Sequence, residues 1–299
     1  MSFWQRNISI SKNHLQRLLI AQGYKYCTKQ NTLMLTEKQR KDRVAFAEAM
    51  LKENKRDKTF FSRIVFSDEV YIQVGDESKK AWQRPGDEVG SYKRAHPEKI
   101  MLWAGASKKG LTNMHWCDFP TYYEGLEARV PGWPKNSVFE HWKAKQVPKP
   151  KRTGKSKMGC LYYIEEVLTA FAKWRTETCS GNECNILQED GAGAHKGKTT
   201  KRYWASKQGA KCLNGYVVNV KWPANSPDMN PVENMWTKMK NIKNRSKTPV
   251  RTAADIKEVI EAWVKDEKGE CHALARKLHS SFEKRMNMVI ASQGRRIPY

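Results

Sequence analysis

The stretch FFSRIVFSDEVYIQVG, residues 60–75, most narrows what this chain can become. It is rich in β-branched and aromatic residues and reads as one or two strands. KIMLWAGAS (99–107) reads as another strand, and CNILQED (184–190) as a short central one. Helical patterns follow: LYYIEEVLTAFAKW (161–174) has a face to bury, and KTTKRYWASKQ (198–208) is a basic helix. Beyond Thr252, residues Ile256, Val259, Ile260, Trp263 and Val264 recur at helical spacing, so amphipathic helices end the chain. Strands first, then strand and helix alternating, specify an α/β layered domain.

Two regions stand outside this pattern. ISISKNHLQRLLIAQG (8–23) opens with serine caps, places Leu15, Leu18 and Leu19 on one face, and stops at Gly23. Its polar face carries Lys12, Asn13, Gln16 and Arg17, which suits either the second helix of a helix-turn-helix or a solvated surface. TEKQRKDRVAFAEAML (36–51) opens with a Thr36/Gln39 capping box and offers Val44, Phe46, Ala47 and Leu51 for packing. Residues 76–98 form an excursion between strands, and 118–158 a basic, proline-rich insertion expected to be at least half mobile. The expected organisation is therefore a helical region at 1–57 and an α/β domain at 58–299, which the resemblance described below makes a DNA-binding remnant with linker and a catalytic domain.

Charge identifies the class of partner. Against 31 Asp and Glu stand 55 Lys and Arg, a formal net charge of +24, which points to a polyanion. No apolar run reaches the roughly 18 residues needed to span a bilayer, so no membrane partner is expected. Seven cysteines, an odd and scattered set, fit free thiols in a reducing intracellular compartment. Cys179 and Cys184 make only a weak zinc pattern. Trp82, Trp103, Trp222 and Trp236 read as core residues.

Three acids then matter. Asp68 ends the apolar run RIVFSD, Asp190 ends NILQED, and Glu233 begins a helix in SPDMNPVENMW (226–236). Each has an ordinary alternative: an Asx turn for the aspartates, and for Glu233 a capping box with Asn230 behind Pro231. Strand alternation turns Glu69 and Glu189 away from their neighbours, so one acid of each pair can enter a shared site. Bringing three carboxylates together is repulsive, by about 4 kcal/mol for two charges 4 Å apart at an effective dielectric near 20, and a cation reverses the sign. All-oxygen ligands favour Mg²⁺ or Mn²⁺, and a pair of such ions serves displacement at a phosphodiester.

VFSDE, AWQRPGDE, IMLWAGASKKG, QEDGAGAH and WPANSPDMNPVENMWTKMK occur in an order and wording that resemble the Tc/mariner superfamily of DDE transposases. The resemblance covers roughly residues 10–299, and its last block is the most specific. It implies a ribonuclease H-like mixed sheet flanked by helices, preceded by a helical DNA-binding remnant and linker. It further implies DNA cleavage and strand transfer at a TA target, two Mg²⁺ (or Mn²⁺) ions held by Asp68, Asp190 and Glu233, no small-molecule cofactor, double-stranded DNA and a second subunit as partners, and a nucleus if the cell is eukaryotic. Residues 76–98 fall where relatives carry a clamp loop. Gly191 and Gly193 replace the usual Asn and Pro after the second acid, 42 residues (191–232) separate Asp190 from Glu233, more than in the commonest subgroup, and most of the paired helix-turn-helix region is missing.

Supporting residues follow from the same reading. His195 lies five positions after Asp190, close enough to reach metals or phosphate or to bridge two loops. Asp228 is a runner-up ligand that an SPD turn would also explain. Lys198, Lys201, Arg202 and Lys207 offer a basic face to a DNA backbone, as Lys12 and Arg17 do in the N-terminal helix, though a solvated helix has the same pattern. A non-catalytic relative that binds or scaffolds DNA, and a general nuclease, are the rival readings.

Overall fold

In the computed structural model, which describes residues 11–22, 34–75, 97–129, 158–206, 222–246, 248–265 and 269–298, the run at 64–73 becomes one ten-residue strand, β1 (Ile64–Gln73). β2 (Lys99–Ser107) pairs antiparallel along it, with Asp68 opposite Ala104. The short β3 (Gly110–Leu111) and β4 (His115–Cys117) both pair antiparallel to β2. On its other side β1 takes β5 (Ile186–Gln188) in parallel. The order is β3-β2-β1-β5, a mixed sheet. Among the described residues β5 borders the sheet, and the strand-like YVVNVKW lies almost wholly outside them.

Alternation along β1 divides the core. Val65 points to one face, where Trp103 and Leu187 meet Phe171 and Trp174 of helix α5 (Thr169–Thr178). The segment leading into α5 is not a uniform helix: a turn of α4 (Cys160–Tyr162) passes into π-helix at Tyr163–Leu168. On the opposite face, Val70 and Ile72 pack with Met235, Trp236 and Met239 of α8 (Glu233–Asn244), Ile256 and Ile260 of α9 (Ala253–Val264), and Cys271 and Ala275 of α10 (Glu270–Ser280). Ile64 and Phe66, at the start of the same face, meet Phe46 and Met50 of α2 (Glu37–Arg56) and Phe282, Met286 and Val289 of α11 (Phe282–Ala291). Helices thus cover both faces, as the apolar periodicity demands.

Local signals worked at several ends. The Thr36/Gln39 capping box forms at the head of α2, and Ser11 caps α1 (Lys12–Ala21) by accepting from the His14 N–H. Residues 1–34 and 35–299 are two compact units, the second holding α2. Residues 118–158 begin with α3 (Phe119–Arg129), whose Phe119 and Tyr122 enter the core; 130–157 lie outside the described residues, as do 76–96 of the excursion. Trp103, Trp222 and Trp236 are buried as expected, and Trp82 lies outside. Cys117, Cys160, Cys179, Cys184 and Cys271 are free thiols. No described helix is long and apolar enough to cross a membrane.

Candidate active site

The sheet places Asp68 mid-strand on β1, Asp190 two residues past the end of the neighbouring parallel strand, and Glu233 at the first position of α8. All three line one cavity of about 640 Å³, together with Gly191 and Lys196, the loop from Trp222 to Pro227, and Asp42, Ala45, Phe46 and Ala49 of α2. The three sequence-predicted acids are therefore brought together, from positions 122 and 43 residues apart.

Glu233 reaches the cavity because it does not cap its helix. The expected box with Asn230 is absent: α8 has no side-chain cap, and the Asn230 N–H goes to the Pro227 carbonyl. Instead Asn230 ties two site elements together. Its Nδ2 donates to the Ser67 carbonyl at 3.2 Å, next to Asp68, and its Oδ1 accepts from the Val232 N–H at 3.2 Å, next to Glu233. The Asp68 carboxyl keeps its proton and donates it to the Glu233 carboxylate.

Electrostatics separates the acids into two kinds. Burial, then repulsion from Glu233 and Glu69, pushes the Asp68 carboxyl up to about 8. Burial also raises Glu233, with the nearby charge of Asp190 adding to it and Lys240 opposing it. Asp190 goes the other way. Burial would raise it, but hydrogen bonds from His195 and the Ala192 N–H outweigh that, helped by the charge of Lys196, and hold it below the usual range.

His195 explains the difference. It is buried, with Nδ1 2.9 Å from Asp190 Oδ1 and Nε2 3.1 Å from Glu69 Oε1. Both partners accept, so an imidazolium donates to both; burial alone would lower its pKa, yet the two carboxylates raise it well above the ordinary histidine value. The π-helical segment adds Tyr163, whose ring lies 4.5 Å from that of His195 and whose hydroxyl donates to the half-buried Glu189. Glu69 and Glu189, turned away from the cavity as alternation requires, thus join His195 and Tyr163 in a group of touching side chains behind Asp190. The sequence left His195 undecided and did not reveal this group; the only signal was that Asp68 and Asp190 each have an acidic neighbour, Glu69 and Glu189.

Asp228 is not a ligand in this arrangement. It sits in the 3₁₀ turn Pro227–Met229 and gives both oxygens to the buried Arg43 of α2, at 2.8 and 2.6 Å, while accepting from the Ile297 N–H at 2.9 Å. Arg285 of α11 donates to the Asp228 carbonyl and to Asn234 Oδ1, so the turn leading to Glu233 is held from both ends of the domain. Lys198, Lys201 and Arg202 are exposed on α7 (Lys198–Trp204), which buries Thr199, Thr200 and Tyr203; the four-residue α6 (Gly193–Lys196) precedes it. Lys207 lies outside the described residues, Arg17 is exposed on α1, and of Lys12 only its backbone place at the start of α1 is described.

The donor set fits a hard divalent cation. Three carboxylates share a water-accessible cavity with neither sulfur nor a free imidazole, since His195 is committed to Asp190 and Glu69. Among the described residues, no three His, Cys, Asp or Glu side chains stand as a closed ligand cluster, so the acids share a cavity without converging on one point.

Comparison with known proteins agrees with this geometry. Residues 163–270, which include Asp190 and Glu233, match the family described as DDE superfamily endonuclease. Over 114 residues the chain is 30% identical to the Tc3 transposase of Caenorhabditis elegans, a stretch that covers 38% of this chain and 31% of that protein's length. The fold is similar to that of the Mos1 transposase in its paired-end complex with left transposon end, with a TM-score of 0.66 at 17% identity over 97% of this chain and 72% of the other. The isolated Mos1 mariner transposase catalytic domain aligns over its whole length and 90% of this chain, with a TM-score of 0.58 at 15% identity. The mixed sheet with helices on both faces is thus the ribonuclease H-like fold of that domain.

Proposed function

We infer that this chain, whose residues 163–270 carry a DDE superfamily endonuclease domain, is a Tc/mariner-type transposase that cuts and joins DNA strands. One observation carries the reading: Asp68, Asp190 and Glu233, distant in sequence, line a single cavity of a ribonuclease H-like fold. These three would hold Mg²⁺ or Mn²⁺, as a pair of ions. When bound, such ions lower the pKa of an attacking water or 3′-hydroxyl and stabilise the departing oxygen. Support for the metal comes from the donor chemistry and from Mos1 structures described with Mn and with Mg.

The protein's own contribution is positioning. His195 holds Asp190 ionised and oriented, Asn230 fixes the spacing between the segments carrying Asp68 and Glu233, and the Arg43–Asp228 pair anchors the turn before α8. The exposed Lys198, Lys201 and Arg202 beside the site would neutralise phosphates, with Lys12 and Arg17 of the N-terminal unit serving DNA as a separate element. The partners proposed are double-stranded DNA, as transposon ends and a TA target, and a second copy of the chain; a DNA substrate places the protein in the nucleus of a eukaryotic cell. Residues 1–57 are proposed as DNA-binding region and linker, ahead of the catalytic domain.

The test is nicking of supercoiled DNA with Mg²⁺ by the wild-type chain and by Asp190→Asn. Loss of nicking in the variant alone is expected. Equal activity in both would remove Asp190 from the chemistry, and salt-dependent DNA binding without cleavage under any divalent ion would select the non-catalytic reading.

A further inference from the structure

We propose that Lys196 is a phosphate contact inside the catalytic cavity, its ammonium taking a non-bridging oxygen of the DNA strand beside the three acids; this deepens the transposase reading and rests on it. Lys196 is the only Lys or Arg among the described residues lining the cavity, whose other charged members are Asp42, Asp68, Asp190 and Glu233. A wall whose other charged members are acidic offers a polyanionic strand no attraction, and an ammonium on the same wall supplies it where a phosphate enters.

The backbone makes room for that ammonium. A Cβ placed on Gly191 would stand 2.6 Å from Lys196 Nζ, so the amine lies directly over the glycine next to Asp190. The absence of a side chain at 191, one of the positions where the sequence departs from its resemblance, is filled by the lysine. Lys196 ends the short α6, one residue after the buried His195, whose hydrogen bonds to Asp190 and Glu69 fix the start of its side chain. Lys196 is an exposed residue and lines the cavity, so its side chain is open to a ligand there.

This places Lys196 apart from the basic residues of α7. Lys198, Lys201 and Arg202 are exposed on that helix and are not among the residues lining the cavity, so they suit the flanking backbone; Lys196 lies beside the acids, where the reacting phosphate must come.

The experiment uses the full chain and the variants Lys196→Met, Lys196→Arg and Gly191→Ala. Binding to a short DNA duplex is measured by fluorescence anisotropy across a KCl series, nicking by gel, and Mn²⁺ affinity by electron paramagnetic resonance. Lys196→Met is expected to flatten the log–log salt slope by about 1, since one phosphate contact is lost. Nicking should fall by about 10²-fold, the size seen when one donor to a reacting oxyanion is removed. Mn²⁺ should bind as tightly or more tightly, because a cation next to the carboxylates is gone. Lys196→Arg should restore the slope, and Gly191→Ala, whose methyl displaces the amine, should fall between. An unchanged slope and unchanged nicking in Lys196→Met would overturn the proposal. So would a parallel loss of Mn²⁺ affinity and thermal stability, which would make Lys196 a structural counter-charge to Asp190. If the wild-type chain nicks nothing, the strand-transferase reading fails, and the salt slope alone still decides whether Lys196 meets a phosphate.

Discussion

Replacing Arg43 by Met tests how the turn before Glu233 is held. Arg43 is fully buried and donates to Asp228 Oδ1 and Oδ2 at 2.8 and 2.6 Å and to the carbonyls of Gly294 and Arg295 at 3.0 and 3.2 Å. Methionine keeps much of the stem and removes every donor. Breaking one side of a buried ion pair costs about 3–5 kcal/mol because the other charge stays buried. Here Asp228 keeps the Ile297 N–H at 2.9 Å and Arg296 at 3.5 Å, so the lower end, about 3 kcal/mol, is expected. In a domain of this size that corresponds to a fall in Tm of about 6–12 °C. The assay is thermal and urea unfolding followed by circular dichroism, for Arg43→Met, Asp228→Leu and the double variant. Removing the stranded carboxylate should recover about 1–2 kcal/mol in the double variant, the backbone groups remaining unpaired. A loss below about 1 kcal/mol in Arg43→Met, or strict additivity in the cycle, would refute the assignment of this pair as the anchor of the turn.

His279 is buried, is held near 4 by desolvation against its bond to the Ile64 carbonyl, and would take a proton in the unfolded chain near 6.5. Its folded value is the lower one, so stability should be lost as pH falls from about 6.5 to 4 and flatten below; His279→Gln should shrink that slope in pH-dependent melts. For Asp228, lowered mainly by Arg43 against the opposing effect of burial, the stability its charge contributes is present above the ordinary carboxylate range and lost as pH falls through its folded value; Asp228→Asn should lower stability at neutral pH and show less further loss in acid, read in the same melts. His195→Asn should weaken Mn²⁺ binding by about 10- to 100-fold, measured by calorimetry, since partners behind a ligand tune it by that much. Lys243→Met removes the buried ammonium that donates to the carbonyls of Gln73 and Gly75, and urea unfolding should show a loss of about 1–3 kcal/mol. Ile260→Ala, at a fully buried site on α9, should cost about 2–5 kcal/mol by the same measurement, a loss below 1 arguing against that core.

What could be read from the sequence was whatever is local. KIMLWAGAS gave a strand with the observed bounds, 99–107, because a continuous apolar run that ends at charged residues is read from near neighbours alone. The Thr36/Gln39 cap succeeded for the same reason. Asn230 shows where local reading fails: it has the spelling of a helix cap, but its amide finds the Ser67 carbonyl, 163 positions away, and the freed Glu233 turns to Asp68. Arg43 looks like one more charge on a basic helix, and only its pairing with Asp228, 185 positions away, reveals it as core. The meeting of Asp68, Asp190 and Glu233 was legible through resemblance and charge logic; the network of Glu69, Glu189, Tyr163 and His195 was not, because strand alternation says which acids turn away and not what they meet.

The closing peptide of the chain also has a practical bearing. Gly294 and Arg295 lend carbonyls to Arg43, and Ile297 lends an amide to Asp228, so residues 294–297 brace the turn that leads to Glu233. A purification tag fused after Tyr299 begins three positions beyond Ile297 and pulls on that brace, whereas one attached ahead of Met1 joins the other compact unit. Anyone expressing this protein for activity assays should carry the handle at the amino end, and a preparation that melts low with a carboxyl-terminal fusion should be suspected of a loosened pocket before it is judged inert.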